Sequence, residues 1–169
     1  DAAGNLSPAV GSYAVTIDTS APVVQSVAFA SAVGAVNGLL SAGGTVQVKV
    51  TLSEATNVVG SPQLGLLVDG QTVQAIYKSG SGSNELIFEY TIQPGQVDLN
   101  GLAIAANSLS LNGGSMTDAA GNAATLNHGA LADDGAYKVD ASVLTAPVIY
   151  TVSGDNLIGA ADAGKPIQG

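Results

Sequence analysis

The stretch TVQVKVTLSE, residues 45–54, determines the fold class, because its apolar and polar side chains alternate without interruption. Successive side chains of an extended chain point to opposite faces, so one face would carry Val46, Val48, Val50 and Leu52. The other face would carry the glutamine, lysine, threonine and serine side chains. A period of two with one apolar face predicts a β-strand that lies against a hydrophobic core.

The same alternation continues along most of the chain. In NELIFEYTI (84–92), Leu86 and Phe88 share the inner face, and Asp69-Gly70 between two apolar runs signals a two-residue hairpin. No segment has a convincing helical period. The chain is therefore predicted to be all-β, an immunoglobulin-like antiparallel β-sandwich of about seven strands. The predicted strands begin near Pro22 and then lie at 45–54, 63–68, 71–78, 84–92, 101–111 and 136–140.

The composition excludes several classes of function. The net charge is −9, with 13 acidic residues against 4 basic ones, so neither nucleic acid nor an anionic membrane surface is an expected partner. No apolar run approaches the ~18 residues of a membrane span, and no membrane insertion is expected. With a single histidine, no cysteine and no arginine, the chain lacks the usual groups for acyl or phosphoryl transfer. The chain is not expected to be an enzyme.

A repeated segment indicates the domain organisation. DAAGN occurs at 1–5 and again at 118–122, and each copy leads to a tyrosine, then an aspartate (Asp18 or Asp140), then Ala-Pro. A repeat of about 120 residues is typical of tandem domains rather than a solenoid. The predicted units are the last strand of a preceding domain at 1–18, a complete domain at 19–141, and a linker with the first strands of the next domain at 142–169.

The acidic and amide side chains fall into two groups when the loops are assigned to the ends of a sandwich. We call the end where the chain enters the domain the entry pole and the opposite end the exit pole. The entry pole would carry Asp18, Glu54, Asp118 and Asn122. The exit pole would carry Asp98, Asn100 and Asp140, together with Asp69, which reads mainly as a hairpin residue. Ca²⁺ takes six to eight oxygen ligands of this kind, so both groups are candidate metal ligands.

Simpler interpretations of these residues remain open. Asp118 can form a turn with the residues that follow it, since aspartate accepts local backbone hydrogen bonds and Gly and Asn tolerate positive φ. Glu54 has the parity of an inward-pointing side chain and needs a partner, which could be a backbone N–H instead of an ion. His128 has no carboxylate partner at a motif spacing, and it reads as a surface residue.

Several stretches resemble a known family. TIDTSAPVV (16–24), VTLSEAT (50–56), DLNGLAI (98–104) and LNGGSMTDAAGNAA (111–124) are similar to the bacterial immunoglobulin-like extender repeats of giant secreted adhesins. These include the type I-secreted RTX-type adhesins and the biofilm-associated surface proteins. The second linker, DASVLTAP (140–147), departs from the compact DTSAP pattern of the first.

The resemblance implies a spacer role in cell adhesion or biofilm formation at a Gram-negative cell surface. It further implies Ca²⁺ at the domain junctions and neighbouring repeats of the same chain as partners. A cell-surface or matrix ligand would be bound by other domains. The alternative is a ligand-binding module for carbohydrate or protein, which would need an exposed aromatic or flat threonine-rich face. Tyr77 and Tyr90 both have core parity, and the chain has no tryptophan to stack on a sugar.

Overall fold

A computed structural model describes residues 16–143 of the chain. The predicted strand of a preceding domain and the predicted start of the next one lie almost wholly outside these described residues. The described part is all-β and contains no helix. Its ten strands are β1 Val24–Val36, β2 Leu39–Val59, β3 Gln63–Val68, β4 Gln71–Ser79, β5 Ser83–Thr91, β6 Val97–Asp98, β7 Leu102–Ser110, β8 Ser115–Thr117, β9 Leu131–Asp134 and β10 Lys138–Asp140.

The core confirms the alternation of the 45–54 stretch. The four apolar side chains of that stretch are all 0% exposed, as are Leu86 and Phe88 on the neighbouring strand β5. Strand β2 pairs with β5 in antiparallel register, so that Val48 lies opposite Phe88. The Phe88 ring meets the edge of Tyr77 at a centroid distance of 5.9 Å. One contiguous cluster of buried side chains, contributed by most of the strands, forms the core.

The strands form one continuous mixed sheet that folds into a sandwich. Its order is β6-β10-β2-β5-β4-β3-β7-β9, and β1 and β8 pair with β2 outside this path. Strand β2 therefore pairs with four other strands, β1, β5, β8 and β10. Only the β2–β10 pairing is parallel among the pairings of the described strands. Strand β2 thus holds together elements from both ends of the domain.

Some strands were predicted with the right bounds and others were not. Strand β3 covers the predicted residues 63–68, and Asp69-Gly70 makes the predicted tight hairpin with φ values of 48° and 73°. The sequence indicated only where the first strand begins. In the structure β1 continues to Val36, where a second tight hairpin at Asn37-Gly38 joins it to β2. The short strands β6, β8 and β9 have no counterpart in the sequence prediction.

The prediction that His128 is a surface residue is wrong. Its side chain is buried at 9% exposure, and Nε2 accepts hydrogen bonds from the backbone N–H groups of Ser108 at 3.0 Å and Leu109 at 3.3 Å. Because Nε2 accepts, the proton of the neutral ring lies on Nδ1, which donates to the Gly129 carbonyl at 2.8 Å. The histidine fastens the 123–130 segment to β7, which is a structural role.

Candidate metal centre

The DAAGN segment at 118–122 forms a turn in which the first residue, Asp118, and the last, Asn122, are hydrogen-bonded to each other. The Asp118 N–H donates to the Asn122 carbonyl at 3.1 Å, and Gly121 adopts a positive φ of 92°. Asp118 Oδ1 accepts the Asn122 N–H at 2.8 Å, and Oδ2 accepts the Asn122 side-chain amide at 2.7 Å. The turn interpretation is therefore confirmed for Asp118. The turn holds the carboxylate in one orientation, and Asp118 as a whole is 4% exposed.

Asn122 also fastens the incoming linker to this turn. Its Nδ2 lies 3.1 Å from the carbonyl oxygen of Asp18 and 3.1 Å from that of Ser20. Asp18 Oδ1 accepts the Ser20 N–H at 2.9 Å, so the linker begins with a small turn of its own. The sequence prediction overlooked Ser20, although an aspartate side chain commonly accepts the backbone N–H of the residue two positions later.

Glu54 completes a group of three carboxylates. Asp18 comes from the linker, half-buried Glu54 from β2, and Asp118 from the turn. One carboxylate oxygen of each lies within 4.8 Å of the others. Within residues 16–143 this is the single group of three or more such side chains close enough to hold one metal ion. The structure thus brings together the three acids predicted for the entry pole, with Asn122 hydrogen-bonded beside them. We call these four residues the entry-pole cluster.

The electrostatics of the cluster are unfavourable without a cation. Burial raises the pKa of Glu54, and the negative charges of Asp18 and Asp118 raise it further. Burial also acts to raise the pKa of Asp118, but hydrogen bonds from Asn122 and from the backbone of Ala120 and Gly121 outweigh it. The pKa of Asp118 therefore lies below its ordinary value. The hydrogen bonds thus favour the charged form of Asp118, whereas burial and the neighbouring charges disfavour the charged form of Glu54.

No lysine of the described residues forms an ion pair with these carboxylates. Lys49 pairs with Glu85 at 2.7 Å, and Lys78 pairs with Glu89, both on the outer face of the sheet. Neither ion pair among the described residues involves the entry-pole cluster. The cluster consequently offers several oxygen donors and a surplus of negative charge.

The donor set fits a hard divalent cation. It contains carboxylate oxygens with neither cysteine nor histidine, which is the ligand chemistry that suits Ca²⁺ and other hard cations, whereas zinc sites are built mainly from cysteine and histidine. Asp18, Glu54 and Asp118 would hold the ion, with Asn122 keeping the linker in place. A bound Ca²⁺ would supply positive charge that offsets the repulsion at Glu54. Ca²⁺ binding itself stays a prediction.

The residues predicted for the exit pole do not form a comparable group. Asp98 is 3% exposed, and both of its oxygens are occupied: Oδ2 accepts the Asp69 N–H at 2.7 Å and Oδ1 accepts the Gly101 N–H at 2.8 Å. The Asn100 side chain donates to Asp133 at 2.6 Å. In the described part of the chain, no group of three acids includes any of these residues. A second Ca²⁺ site at this pole stays a prediction.

Asp140 has a different environment from Asp98. Its Oδ1 accepts the Ser142 N–H at 3.1 Å. Hydrogen bonds from the Ser142 side chain and N–H keep the pKa of Asp140 below its ordinary value, against the opposing effect of burial. The turn Asp140–Ser142 therefore matches the turn Asp18–Ser20 of the first linker.

Replacing Glu54 with glutamine should stabilise the calcium-free protein near neutral pH. A carboxyl group whose pKa is raised on folding destabilises the fold once the pH exceeds its ordinary value of 4.5. The E54Q variant should therefore melt at a higher temperature than the parent above this pH, and its advantage should shrink as the pH falls below it. Asp118 has a lowered pKa, so its ionised form stabilises the fold. This contribution is lost in acid, in the parent protein and in E54Q alike.

Thermal unfolding in chelator across a series of pH values measures this difference. Glu85→Gln is the matched control, because it removes the same charge from a carboxylate that pairs with Lys49. That variant should be equal to the parent in stability or slightly less stable. A melting temperature of E54Q below that of the parent at neutral pH would contradict the prediction.

Comparison of the chain with protein-family models, with curated proteins and with solved structures gives no match. Among the residues that the structure describes, no helix is long and apolar enough to cross a membrane.

Proposed function

We propose that this chain is a structural spacer module of a large bacterial surface adhesin, stiffened by Ca²⁺ where one domain follows another. In this proposal the sandwich is immunoglobulin-like and stands in a tandem array outside the cell, supporting adhesion or biofilm formation. The observation that carries the proposal is the composition of the entry-pole cluster. Asp18 belongs to the incoming linker, whereas Glu54 and Asp118 belong to the body of the domain. One ion bound by all three would fix the linker to the domain.

The similarity of the two linkers supports the tandem arrangement. Asp18 and Asp140 each accept a hydrogen bond from the N–H of a serine two residues later. The residue before each aspartate is apolar, but Ile17 is 81% exposed while Val139 is 0% exposed within β10. An Ile17 buried in the sheet of a preceding module, as Val139 is buried here, would remove this exposed apolar surface. Asp140 would then be the linker aspartate of the following module.

The positions of the aromatic residues favour a spacer over a carbohydrate-binding module. Every aromatic side chain in residues 16–143 packs in or against the core: Phe29, Tyr77, Phe88, Tyr90 and Tyr137. Phe29 stacks on Tyr137, and the hydroxyl groups of Tyr77 and Tyr90 accept internal hydrogen bonds. The described surface therefore offers no aromatic platform on which a sugar could stack.

Small-angle scattering of a two-module protein tests the proposal. The two copies are joined so that Asp140 of the first is followed directly by Thr19 of the second, which places the short DTSAP linker between them. Ca²⁺ should narrow the distribution of distances between the modules, and a chelator should broaden it. Equal distributions in calcium and in chelator would exclude a calcium-stiffened junction.

The same tandem protein contains its own control. Glu54→Gln in the second copy removes a ligand at the junction and should abolish the calcium response. Glu54→Gln in the first copy changes the same residue at the free end of the protein and should leave the response intact. An equal loss of response from both variants would mean that calcium does not act through the junction.

A further inference from the structure

Asn-Gly sequences occur three times in the chain, at 37–38, 100–101 and 112–113, and the structure gives each a different environment. Asparagine followed by glycine is the sequence most open to intramolecular cyclisation, because glycine has no side chain to obstruct the approach of its own backbone nitrogen to the asparagine side chain. The rate in a folded protein depends on whether the amide and the nitrogen are free and whether the backbone can rearrange. The three sites therefore form an internal comparison.

At residues 100–101, hydrogen bonds hold both reacting groups, the asparagine side-chain amide and the glycine nitrogen. The Asn100 side-chain amide donates to Asp133 at 2.6 Å, and the nucleophile, the Gly101 N–H, donates to Asp98 Oδ1 at 2.8 Å. Gly101 is buried against the backbone, so that a Cβ at this position would lie 2.1 Å from the Asp134 carbonyl oxygen. Cyclisation here would require two hydrogen bonds and a buried backbone contact to be broken together.

Residues 112–113 are protected by one contact. The Asn112 amide donates to the Ser61 carbonyl at 3.2 Å, and the Gly114 N–H closes the turn on the Leu111 carbonyl at 2.8 Å. Asn112 and Gly113 have φ values of 47° and 77°, so the turn has left-handed backbone at both central residues.

Residues 37–38 have nearly the same turn without the protection. Asn37 and Gly38 have φ values of 52° and 77°, both are exposed, and neither the amide nor the Gly38 N–H forms a hydrogen bond with another described residue. A Cβ at Gly38 would meet no atom within 4 Å. The backbone conformation at 37–38 is thus almost the same as at 112–113, but the side-chain hydrogen bond that holds Asn112 has no counterpart at Asn37.

The β1 arm of the hairpin tip at 37–38 can open at small cost, while the β2 arm stays paired with β10 through Leu39 and Leu40. The pairing of β1 with β2 jumps from Val33↔Thr45 to Ala35↔Leu40, and only one further pair, Val36↔Leu39, lies beyond this irregularity. Hairpin ends held by few pairs open locally without unfolding the core. Opening lets Asn37 leave the left-handed conformation and place its side-chain carbon beside the Gly38 nitrogen.

From these contrasts we propose that Asn37 is a site of spontaneous deamidation in the folded protein, while Asn100 and Asn112 are protected by their contacts. The Gly38 nitrogen loses its proton to solvent base and bonds to Cγ of Asn37. The Cγ–Nδ2 bond breaks as the leaving nitrogen takes a proton from solvent, and ammonia departs, giving a five-membered succinimide. Water opens this ring at either carbonyl, and the product is aspartate or isoaspartate. Both products add a negative charge, and isoaspartate also lengthens the backbone at the turn by one methylene group.

Peptide mapping by mass spectrometry after incubation of the folded protein in mildly alkaline buffer tests this proposal. Deamidation should be several-fold faster at Asn37 than at Asn112, and slowest at Asn100. The same incubation in denaturant should bring the three rates close together, because the structural protection is then lost. The proposal is overturned if Asn37 does not lead in the folded protein, or if the differences between the three rates are as large in denaturant as in the folded protein.

A variant gives a second, independent readout. Asp133→Ala removes the acceptor of the Asn100 amide and should raise the rate at Asn100 while leaving the rate at Asn37 unchanged. An unaltered rate at Asn100 in this variant would show that the contact with Asp133 gives no protection.

Discussion

Calcium at a hundredfold excess over its dissociation constant should raise the free energy of unfolding of this protein by about 2.7 kcal/mol. The reason is linkage: the three carboxylates of the entry-pole cluster meet only when the chain is folded, since they come from a linker, a strand and a turn far apart in sequence. An ion that binds the folded state alone stabilises it by mass action. Urea unfolding in calcium and in chelator, followed by circular dichroism, measures the difference.

Two variants identify the site responsible for this effect. Glu54→Gln should lose most of the stabilisation by calcium, because it removes one of three charged ligands. Glu85→Gln should keep it, since Glu85 lies on the outer face of the sheet with Lys49. If the unfolding midpoint of the parent protein were the same in calcium and in chelator, the entry-pole cluster would have to be regarded as an acidic surface feature.

Replacing Asp98 with alanine should destabilise the protein strongly and to the same extent with or without calcium. The carboxylate is buried and accepts the N–H groups of Asp69 and Gly101, which would both lose their acceptor. The buried Gly101 N–H, once left without a partner, should cost about 1–3 kcal/mol. The Asp69 N–H belongs to an exposed residue that can turn to water, so it should add little to this loss. Urea unfolding in both conditions gives this value directly.

Asp133→Ala is the comparison for Asp98→Ala, because Asp133 is an exposed aspartate at the same end of the domain. It should cost much less than Asp98→Ala, since its side-chain partner among the described residues, the Asn100 amide, can turn to water. A loss from Asp98→Ala that appeared only in calcium would show instead that Asp98 is a metal ligand. The experiment therefore decides between the structural role and the predicted exit-pole site.

The parts of the fold that were predicted from the sequence depend on local signals. The alternation in 45–54 and the Asp69-Gly70 turn each specify structure from neighbouring residues, and strand β3 between two clear turn signals has its predicted bounds. The end of β1 was missed because SAVGAV (31–36) is built of small residues, which give no clear contrast between two faces. Strands β6 and β8 are two and three residues long, and their pairing depends on distant partners that no local pattern reveals.

For the candidate site, the sequence predicted which residues lie at the same end of the domain. Assigning loops to the ends of a sandwich correctly placed Asp18, Glu54 and Asp118 together. The same reasoning placed Asp98 at the exit pole but could not show that its carboxylate turns inward to two backbone N–H groups. The burial of His128 was missed for the same reason, because its partners lie about 20 residues away in β7. Sequence reasoning located side chains at an end of the domain without fixing their direction.

The four partners of β2 have a consequence for the order in which the domain can form during synthesis. Strand β1 precedes β2 and can pair with it at once, whereas β5 and β8 become available later. The first residues of β2, Leu39 and Leu40, pair with Lys138 and Val139, which are among the last of the described residues to leave the ribosome. A nascent chain that ends before β10 therefore leaves this end of β2 without its parallel neighbour. Of the described strands β10 is the last to be made, so its pairing with β2 can form only after all the other described strands have been synthesised.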